Sequence, residues 1–324
     1  MNKSDEKYLS IVIPIYNEAE NIHELYHEIK KAIQKFNKPY EIIFIDDGSW
    51  DESYPYLKKI QKKDPAVKVL KLRKNFGQTA AISAGFDHAK GNIIITMDGD
   101  LQNDPNDFHV LVEKIEMGYD IVSGWRKKRK DKFLTRRIPS SIANWFISHI
   151  TQVKLHDYGC TLKAFRKEVI KNIKLYGELH RFIPAIASLM GVSIVEVKVN
   201  HRARKHGKSK YSIFRFPKVV LDLLTVKFLL SYSTKPLQIF GFFGLLSGII
   251  GGIFLLILSY QRLILKQGIG GRPLLLLAIL LVVIGVQFIT LGLLAEIMVR
   301  AYHESSEKRI YYIQEILDSE MDNH

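Results

Sequence analysis

The sequence predicts an α/β domain built on a mainly parallel sheet, followed by interfacial amphipathic helices and a hairpin of two membrane-spanning helices. Three observations predict it. Short, β-branched-rich apolar runs alternate with helix-length segments from residue 9 to residue 124. Acidic or polar clusters follow three of those runs. Two later stretches, 236–261 and 273–295, carry no charged side chain.

The strand-like runs are 9–15, 41–46, 67–72, 92–98 and 120–124, and the helical segments between them are 19–36, 53–62, 78–89 and 105–117. Such alternation reads as βαβ units, whose crossovers put helices on both faces of a parallel sheet. Residues 194–199 alternate apolar with charged residues, the pattern of an edge strand. The domain is read as 1–210. Residues 211–235 place Phe214, Val219, Val220, Leu223, Leu224 and Phe228 at helical spacing among Arg215, Lys218, Asp222 and Lys227, as interfacial helices do, with Pro217 marking a start or a break. The spans 236–261 and 273–295 each exceed the roughly 20 apolar residues that cross a bilayer core of ~30 Å. The remainder, 296–324, reads as a cytoplasmic tail with a short polar helix.

The start of the chain is polar, and Pro14 with Asn17-Glu18 interrupts the first apolar run, so no signal peptide is expected there. More cations flank the spans on the outside (Arg215, Lys218, Lys227, Lys235, Arg300, Lys308, Arg309) than in the connector (Arg262, Lys266, Arg272). By the positive-inside rule both termini and the domain are cytoplasmic, in a multi-pass protein of the cell inner membrane. The single cysteine, Cys160, excludes an internal disulfide. A net charge of +14 gathers partly in 126–137 and 201–218, next to the spans, where anionic lipid rather than nucleic acid is the expected partner. Gly241, Gly244, Gly248, Gly251 and Gly252 give the first span a small-residue face that predicts a homo-oligomer.

In parallel α/β sheets, ligands bind beyond the carboxyl ends of strands. Three such ends carry Pro14-Ile15-Tyr16-Asn17-Glu18, Asp46-Asp47-Gly48-Ser49 and Asp98-Gly99-Asp100-Leu101-Gln102. If the last stays extended, its two carboxylates face one side and can share Mg²⁺ or Mn²⁺. That hard cation takes oxygen ligands and completes its shell with substrate phosphates. Gln102 offers a further oxygen, and Gly99 removes a side chain that would obstruct close approach. Asp47 and Ser49 read either as local caps or, for Asp47, as an acceptor for a nucleobase or ribose. A glycine-rich phosphate loop is absent, which argues against a dehydrogenase or an ATPase, and no Cys/His spacing suits zinc.

These three motifs, with Asn75-Phe76-Gly77-Gln78, Asp157-Tyr158-Gly159-Cys160 and Gly207-Lys208-Ser209-Lys210-Tyr211, stand in the order of family-two glycosyltransferases acting on polyprenyl phosphates. The chain resembles bactoprenol glucosyltransferases and undecaprenyl-phosphate formamido-arabinose transferases, and more distantly dolichyl-phosphate mannose synthases. The resemblance covers essentially the whole chain and implies a type-A glycosyltransferase fold, the nucleotide-diphospho-sugar transferase domain. It implies that Pro14, Tyr16, Glu18 and Asp47 surround the donor nucleoside, and that Asp98, Asp100 and Gln102 hold the metal and the donor diphosphate. Arg126, Arg136 and Ser140 match an acceptor loop, and Arg204 and Lys208 match a basic segment facing the phosphates. Asp157 is placed in an active-site loop, as a catalytic carboxylate that orients the acceptor or accepts bonds from a sugar hydroxyl or an arginine. None of Trp50, Trp125 and Trp145 follows an arginine, so the Gln-x-x-Arg-Trp of processive synthases is missing and single transfer is expected.

The expected reaction is inverting transfer of one sugar, glucose from UDP-glucose first, to undecaprenyl or another polyprenyl phosphate. Formamido-arabinose, galactose or GDP-mannose donors are the alternatives. A phosphate acceptor is already an oxyanion, so charge neutralisation by the metal, Arg126, Arg136 and Arg204 matters more than a general base. A non-catalytic lipid-binding scaffold is the rival of another class; it has no use for Asp98 and Asp100. A transporter is disfavoured, because the spans hold little polarity beyond Gln287.

Overall fold

The computed structural model describes residues 8–127, 148, 153–173, 175, 179–188, 190–203, 205, 236–268, 272–304 and 313–318. The chain divides into two compact units, Met1–Val226 with Arg309–His324, and Lys227–Lys308. The expected interfacial helices at 211–235 lie outside the described residues.

The first unit holds β1 (Leu9–Ile15), α1 (Ala19–Ile33), β2 (Tyr40–Asp46), α2 (Ser53–Gln61), β3 (Val67–Leu72), α3 (Gln78–His88), β4 (Ile93–Thr96), α4 (Phe108–Glu116), β5 (Ile121–Trp125) and β6 (Lys163–Arg166). It continues with α5 (Lys167–Lys171), α6 (Ile183–Ser188), β7 (Ile194–Lys198) and, after the second unit, β8 (Ile313–Leu317). One eight-stranded sheet results, in the order β7-β5-β6-β4-β1-β2-β3-β8. The βαβ half, β4-β1-β2-β3, is parallel as the alternation predicts. The sheet as a whole is mixed, because β6 runs antiparallel to β4 and β5, and β8 antiparallel to β3. Strand β7 takes the expected edge, parallel to β5.

Both faces are covered. Ile22, Leu25 and Ile29 of α1 and Phe108, Leu111 and Ile115 of α4 pack on Ile11, Ile13, Phe44 and Ile95. On the other face α3 sits close to the sheet. A methyl group at Gly85 would fall 2.3 Å from Cγ1 of Val12, so Ala81, Ala84 and Gly85 are small because the gap is small.

The tail corrects an expectation. Residues 313–317, expected within a polar helical tail, form β8. The strand, Ile-Gln-Glu-Ile-Leu, lacks a clean alternation and is half-buried at an edge, where Tyr54 donates to Glu315 at 2.6 Å and Lys68 pairs with Asp318 at 2.8 Å.

The second unit is a hairpin of α7 (Pro236–Leu263) and α8 (Pro273–Glu304), both long and apolar enough to cross a membrane. Both outrun the expected spans, α8 by continuing to Glu304. A Cβ at Gly244 would lie 2.8 Å from the Gly285 carbonyl, and one at Gly251 2.8 Å from that of Ala278. Two of the glycines taken as an oligomer face therefore serve packing within the hairpin.

Candidate active site

Strand β1 pairs in parallel with β2 and β4, which brings three carboxyl ends together. Pro14 fits a central strand because the β4 ladder stops at Val12–Thr96, so no N–H is needed on that side. Beyond it Asn17 adopts φ +52°, which Asn tolerates. Its N–H donates to Ser49 Oγ at 3.0 Å, and the Glu18 N–H to Ser53 Oγ at 2.9 Å. Tyr16 and Glu18 are half-buried in this laced loop.

At the end of β2, Asp47 clamps the fourth motif. Its two carboxylate oxygens accept the N–H groups of Phe76 at 2.8 Å and Gly77 at 2.9 Å. Burial nevertheless pushes the Asp47 carboxyl up to about 6. Gly48, at φ +70°, lets that segment approach; a Cβ there would lie 2.5 Å from the Lys74 carbonyl carbon. Asp47 is thus a structural clamp, with acceptor capacity left over for a ligand, since each carboxylate oxygen has two lone pairs.

The third end joins all of these. A Cβ on Gly99 would fall 2.5 Å from Cδ1 of Ile15 and 3.4 Å from the Pro14 carbonyl oxygen, so glycine lets the acidic loop lie on the first motif. Gln78 Nε2 donates to Asp98 Oδ1 at 2.7 Å, and Thr161 Oγ1 to Asp98 Oδ2 at 2.7 Å. The loop is not extended, as the shared-cation argument assumed. It bends at Leu101, buried and at φ +60°, and the Gln102 N–H donates to Asp100 Oδ1 at 3.1 Å. Leucine at positive φ is strained backbone in a loop this close to the acids. The two carboxylates still feel each other. Burial and then the Asp100 charge push the Asp98 carboxyl up to about 6, against the Thr161 hydrogen bond and the charges of Arg126 and Lys163.

Arg126, just past β5, and Asp157 form a bidentate pair, with Nε to Oδ2 at 2.7 Å and Nη2 to Oδ1 at 2.9 Å. Burial opposes its charge, but the bonds to Asp157 hold the guanidinium above its ordinary value. Gly159 leaves room for the fork, since a Cβ there would stand 3.3 Å from Nη2. Both carboxylate oxygens of Asp157 are thus engaged by arginine. Cys160 is a buried thiol that burial pushes up to about 11.

The start of the basic segment lies against the acidic loop: Asn103 bridges to His201, and the Arg202 N–H donates to the Gln102 carbonyl at 2.9 Å. Arg202 itself pairs with Glu28 at 2.7 Å and Asp104 at 2.9 Å. Arg204, Lys208, Arg136 and Ser140 lie outside the described residues. Sequence reasoning gave no role to Gln78, Thr161 or Lys163. Lys163 is buried on β6, donates to the Tyr158 and Cys160 carbonyls, and is lowered by burial. A cavity of about 20 Å³ beside Asp98 is lined by Gln78, Thr161, Lys163, His180 and Arg181.

The carboxylate pair suits a divalent ion. Asp100 is buried and Asp98 half-buried, and a hard cation would relieve their mutual repulsion. Among the described residues no group of three or more acids, histidines or cysteines gathers around a metal position, here or elsewhere, so the site offers two carboxylates and the Gln102 amide. The Gln102 amide sits next to the pair, its Nε2 donating to the Arg202 carbonyl at 3.5 Å.

The family described as glycosyl transferase family 2 matches residues 10–174. The chain belongs to that family. It is a glycosyltransferase, and its mixed sheet is of the type-A kind. It is 44% identical over 316 residues to a dodecaprenyl-phosphate galacturonate synthase of Rhizobium johnstonii, covering 96% of this chain and 94% of that one. It is 39% identical over 320 residues to an undecaprenyl-phosphate 4-deoxy-4-formamido-L-arabinose transferase of Shewanella sediminis, covering 97% and 93%. Among solved structures, glucosyl-3-phosphoglycerate synthase of Mycobacterium tuberculosis, in complex with Mn²⁺, UDP-glucose and phosphoglyceric acid, superposes with a TM-score of 0.55. It covers 68% of this chain and 80% of its own at 16% identity, a likeness of fold.

Proposed function

We propose that this family 2 glycosyltransferase moves one sugar from a nucleotide diphosphate donor to a polyprenyl phosphate, with inversion, at the cytoplasmic face of the inner membrane. The observation that carries it is one buried charge cluster in which Asp98 and Asp100 meet the Arg126–Asp157 pair, beside the Pro14–Glu18 loop. Two anionic substrates need such a mixture: acids that share a cation, and a guanidinium held ready for phosphate oxygens. The activities named for the two relatives, both of which match nearly the whole chain, support the acceptor.

Asp98, Asp100 and Gln102 would hold Mg²⁺ or Mn²⁺, which when bound would neutralise the donor diphosphate as it leaves. Pro14, Tyr16, Glu18 and Asp47 wall the donor nucleoside. Asp157 fixes Arg126, which faces the acceptor phosphate together with Arg136, Ser140, Arg204 and Lys208. The apolar helices keep the enzyme where its lipid substrate is confined, and Gly252 with the exposed apolar face of α7 remains available for a second copy.

Two sugars are favoured. Glucose follows from the resemblance to bactoprenol glucosyltransferases. A uronate is favoured by the activity named for the Rhizobium relative. The test incubates the purified full chain with Mg²⁺ or Mn²⁺, undecaprenyl phosphate and labelled UDP-glucose, UDP-galacturonate, UDP-formamido-arabinose, UDP-galactose or GDP-mannose. Label in the lipid phase from one donor, lost in Asp100→Ala, is the expected result. No lipid label from any donor, with nucleotide binding indifferent to Asp100→Ala, refutes the proposal and favours a lipid-binding scaffold.

A further inference from the structure

Glu196 stands on β7, where alternation of apolar and charged residues marks a solvent-facing position. Its side chain is only 10% exposed. The carboxylate accepts the backbone N–H of His156 at 3.0 Å and of Asp157 at 3.0 Å, and Nδ1 of His156 lies 2.7 Å from it. The His156 ring stacks on Trp125, centroids 4.3 Å apart and planes 17° from parallel. Among the described residues Glu196 forms no ion pair with a lysine or arginine, so its capacity goes to the turn that carries Asp157.

That turn sets Arg126. The Arg126 N–H, Nε and Nη2 donate to Asp157 at 3.3, 2.7 and 2.9 Å. Trp125 and Arg126 are consecutive, and Ser123 of the same strand is in register with Glu196. The path therefore closes on itself: β7 holds the turn, the turn holds the guanidinium, and the stacked ring presses on the residue before it.

We infer that Glu196 is a positioning residue for transfer, fixing Asp157 and through it the direction in which the Arg126 fork points. This rests on the reading that Arg126 serves the acceptor phosphate. Glu196 Oε1 accepts both backbone N–H groups, of residues 156 and 157, while Oε2 accepts the His156 N–H a second time at 3.1 Å and lies 2.7 Å from its Nδ1. Glutamine can present one oxygen to both N–H groups, but its amide then faces the His156 N–H donor to donor, so the Oε2 tie and the negative charge are lost while volume is kept.

The experiment measures lipid transfer by full-length protein in detergent for wild type, Glu196→Gln, Arg126→Lys and the double variant, with Glu196→Ala alongside. For Glu196→Gln we expect kcat to fall roughly 10- to 100-fold at nearly constant donor KM, the scale of a displaced catalytic group. In the Arg126→Lys background the same change should have little further effect, because the residue acts through a fork that is already gone. A merely structural role predicts losses that multiply, together with a lowered Tm in both backgrounds. Multiplying losses, or a Glu196→Gln enzyme as fast as wild type, overturns the inference. Should Glu196→Ala fail to fold, the near-isosteric Gln variant still decides. Absence of lipid transfer by the wild type would instead count against the proposed reaction itself.

Discussion

The glycine of Asp46-Asp47-Gly48-Ser49 can be tested against a matched control. Gly48 has φ +70° and Gly191 has φ +71°, so an added methyl group meets the same backbone penalty at both. Their surroundings differ. A Cβ at Gly48 lies 2.5 Å from the Lys74 carbonyl carbon and 2.6 Å from the Asn75 nitrogen, whereas nothing stands within 4 Å at Gly191. In Gly191→Ala the cost is the left-handed conformation alone, about 1 kcal/mol. In Gly48→Ala residues 74–77 must also retreat by about 1 Å to restore van der Waals separation. The bonds from Phe76 and Gly77 to Asp47, now 2.8 and 2.9 Å, then pass out of hydrogen-bonding range. Two bonds to a charged acceptor contribute roughly 3 kcal/mol, giving about 4 kcal/mol in all. For a domain of this size that is a fall in Tm of about 8–16 °C, against about 2–4 °C for Gly191→Ala. Thermal unfolding in detergent reads both, and nucleotide affinity should drop only in Gly48→Ala. If the two variants melt together, the close approach is not what the glycine serves, and the clamp reading of Asp47 is wrong.

Three further outcomes are expected. The Asp98 carboxyl, raised to about 6 from an ordinary 3.8, must lose its proton before it can ligate, so Mn²⁺ affinity should be flat above that pH and fall up to tenfold per unit below it; calorimetric titration at pH 5, 6 and 7.5 checks this, and pH-independent binding contradicts it. Arg126→Lys replaces a fork by a point charge and should cost roughly 10- to 100-fold in transfer, with the lipid KM affected more than the donor KM; an unchanged rate removes Arg126 from the acceptor site. Tyr54→Phe loses the 2.6 Å bond to Glu315 and should destabilise by about 1 kcal/mol without altering turnover, read as Tm and initial rate.

Much of the site was legible because it is built on strand ends. The β-branched runs identify β1, β2 and β4, and a parallel sheet brings their carboxyl ends together whatever the details. The acid and glycine motifs could therefore be grouped before any coordinates. What escaped depends on distant pairing. Strand β6 is four residues with a lysine at its start, and nothing local says that Lys163 is buried there. Strand β8 finds its partner about 240 residues away in sequence, where periodicity carries no information. An arginine was one of the partners open to Asp157, but Arg126 lies 31 positions away, so nothing local chose it over a sugar hydroxyl or another arginine. Glu196 was hidden by the same alternation that correctly identified its strand.

The eighth strand has a consequence for how the chain is threaded. Residues 313–317 come after both apolar helices, yet they form a ladder with Val69–Leu72, which come long before. Two segments joined by backbone hydrogen bonds must occupy one compartment, so if α7 and α8 each traverse a bilayer, the second crossing undoes the first. Only the link between them, 264–272, is then left on the opposite side, and reporter tags on the two ends of the protein should answer alike to any probe that cannot pass through lipid.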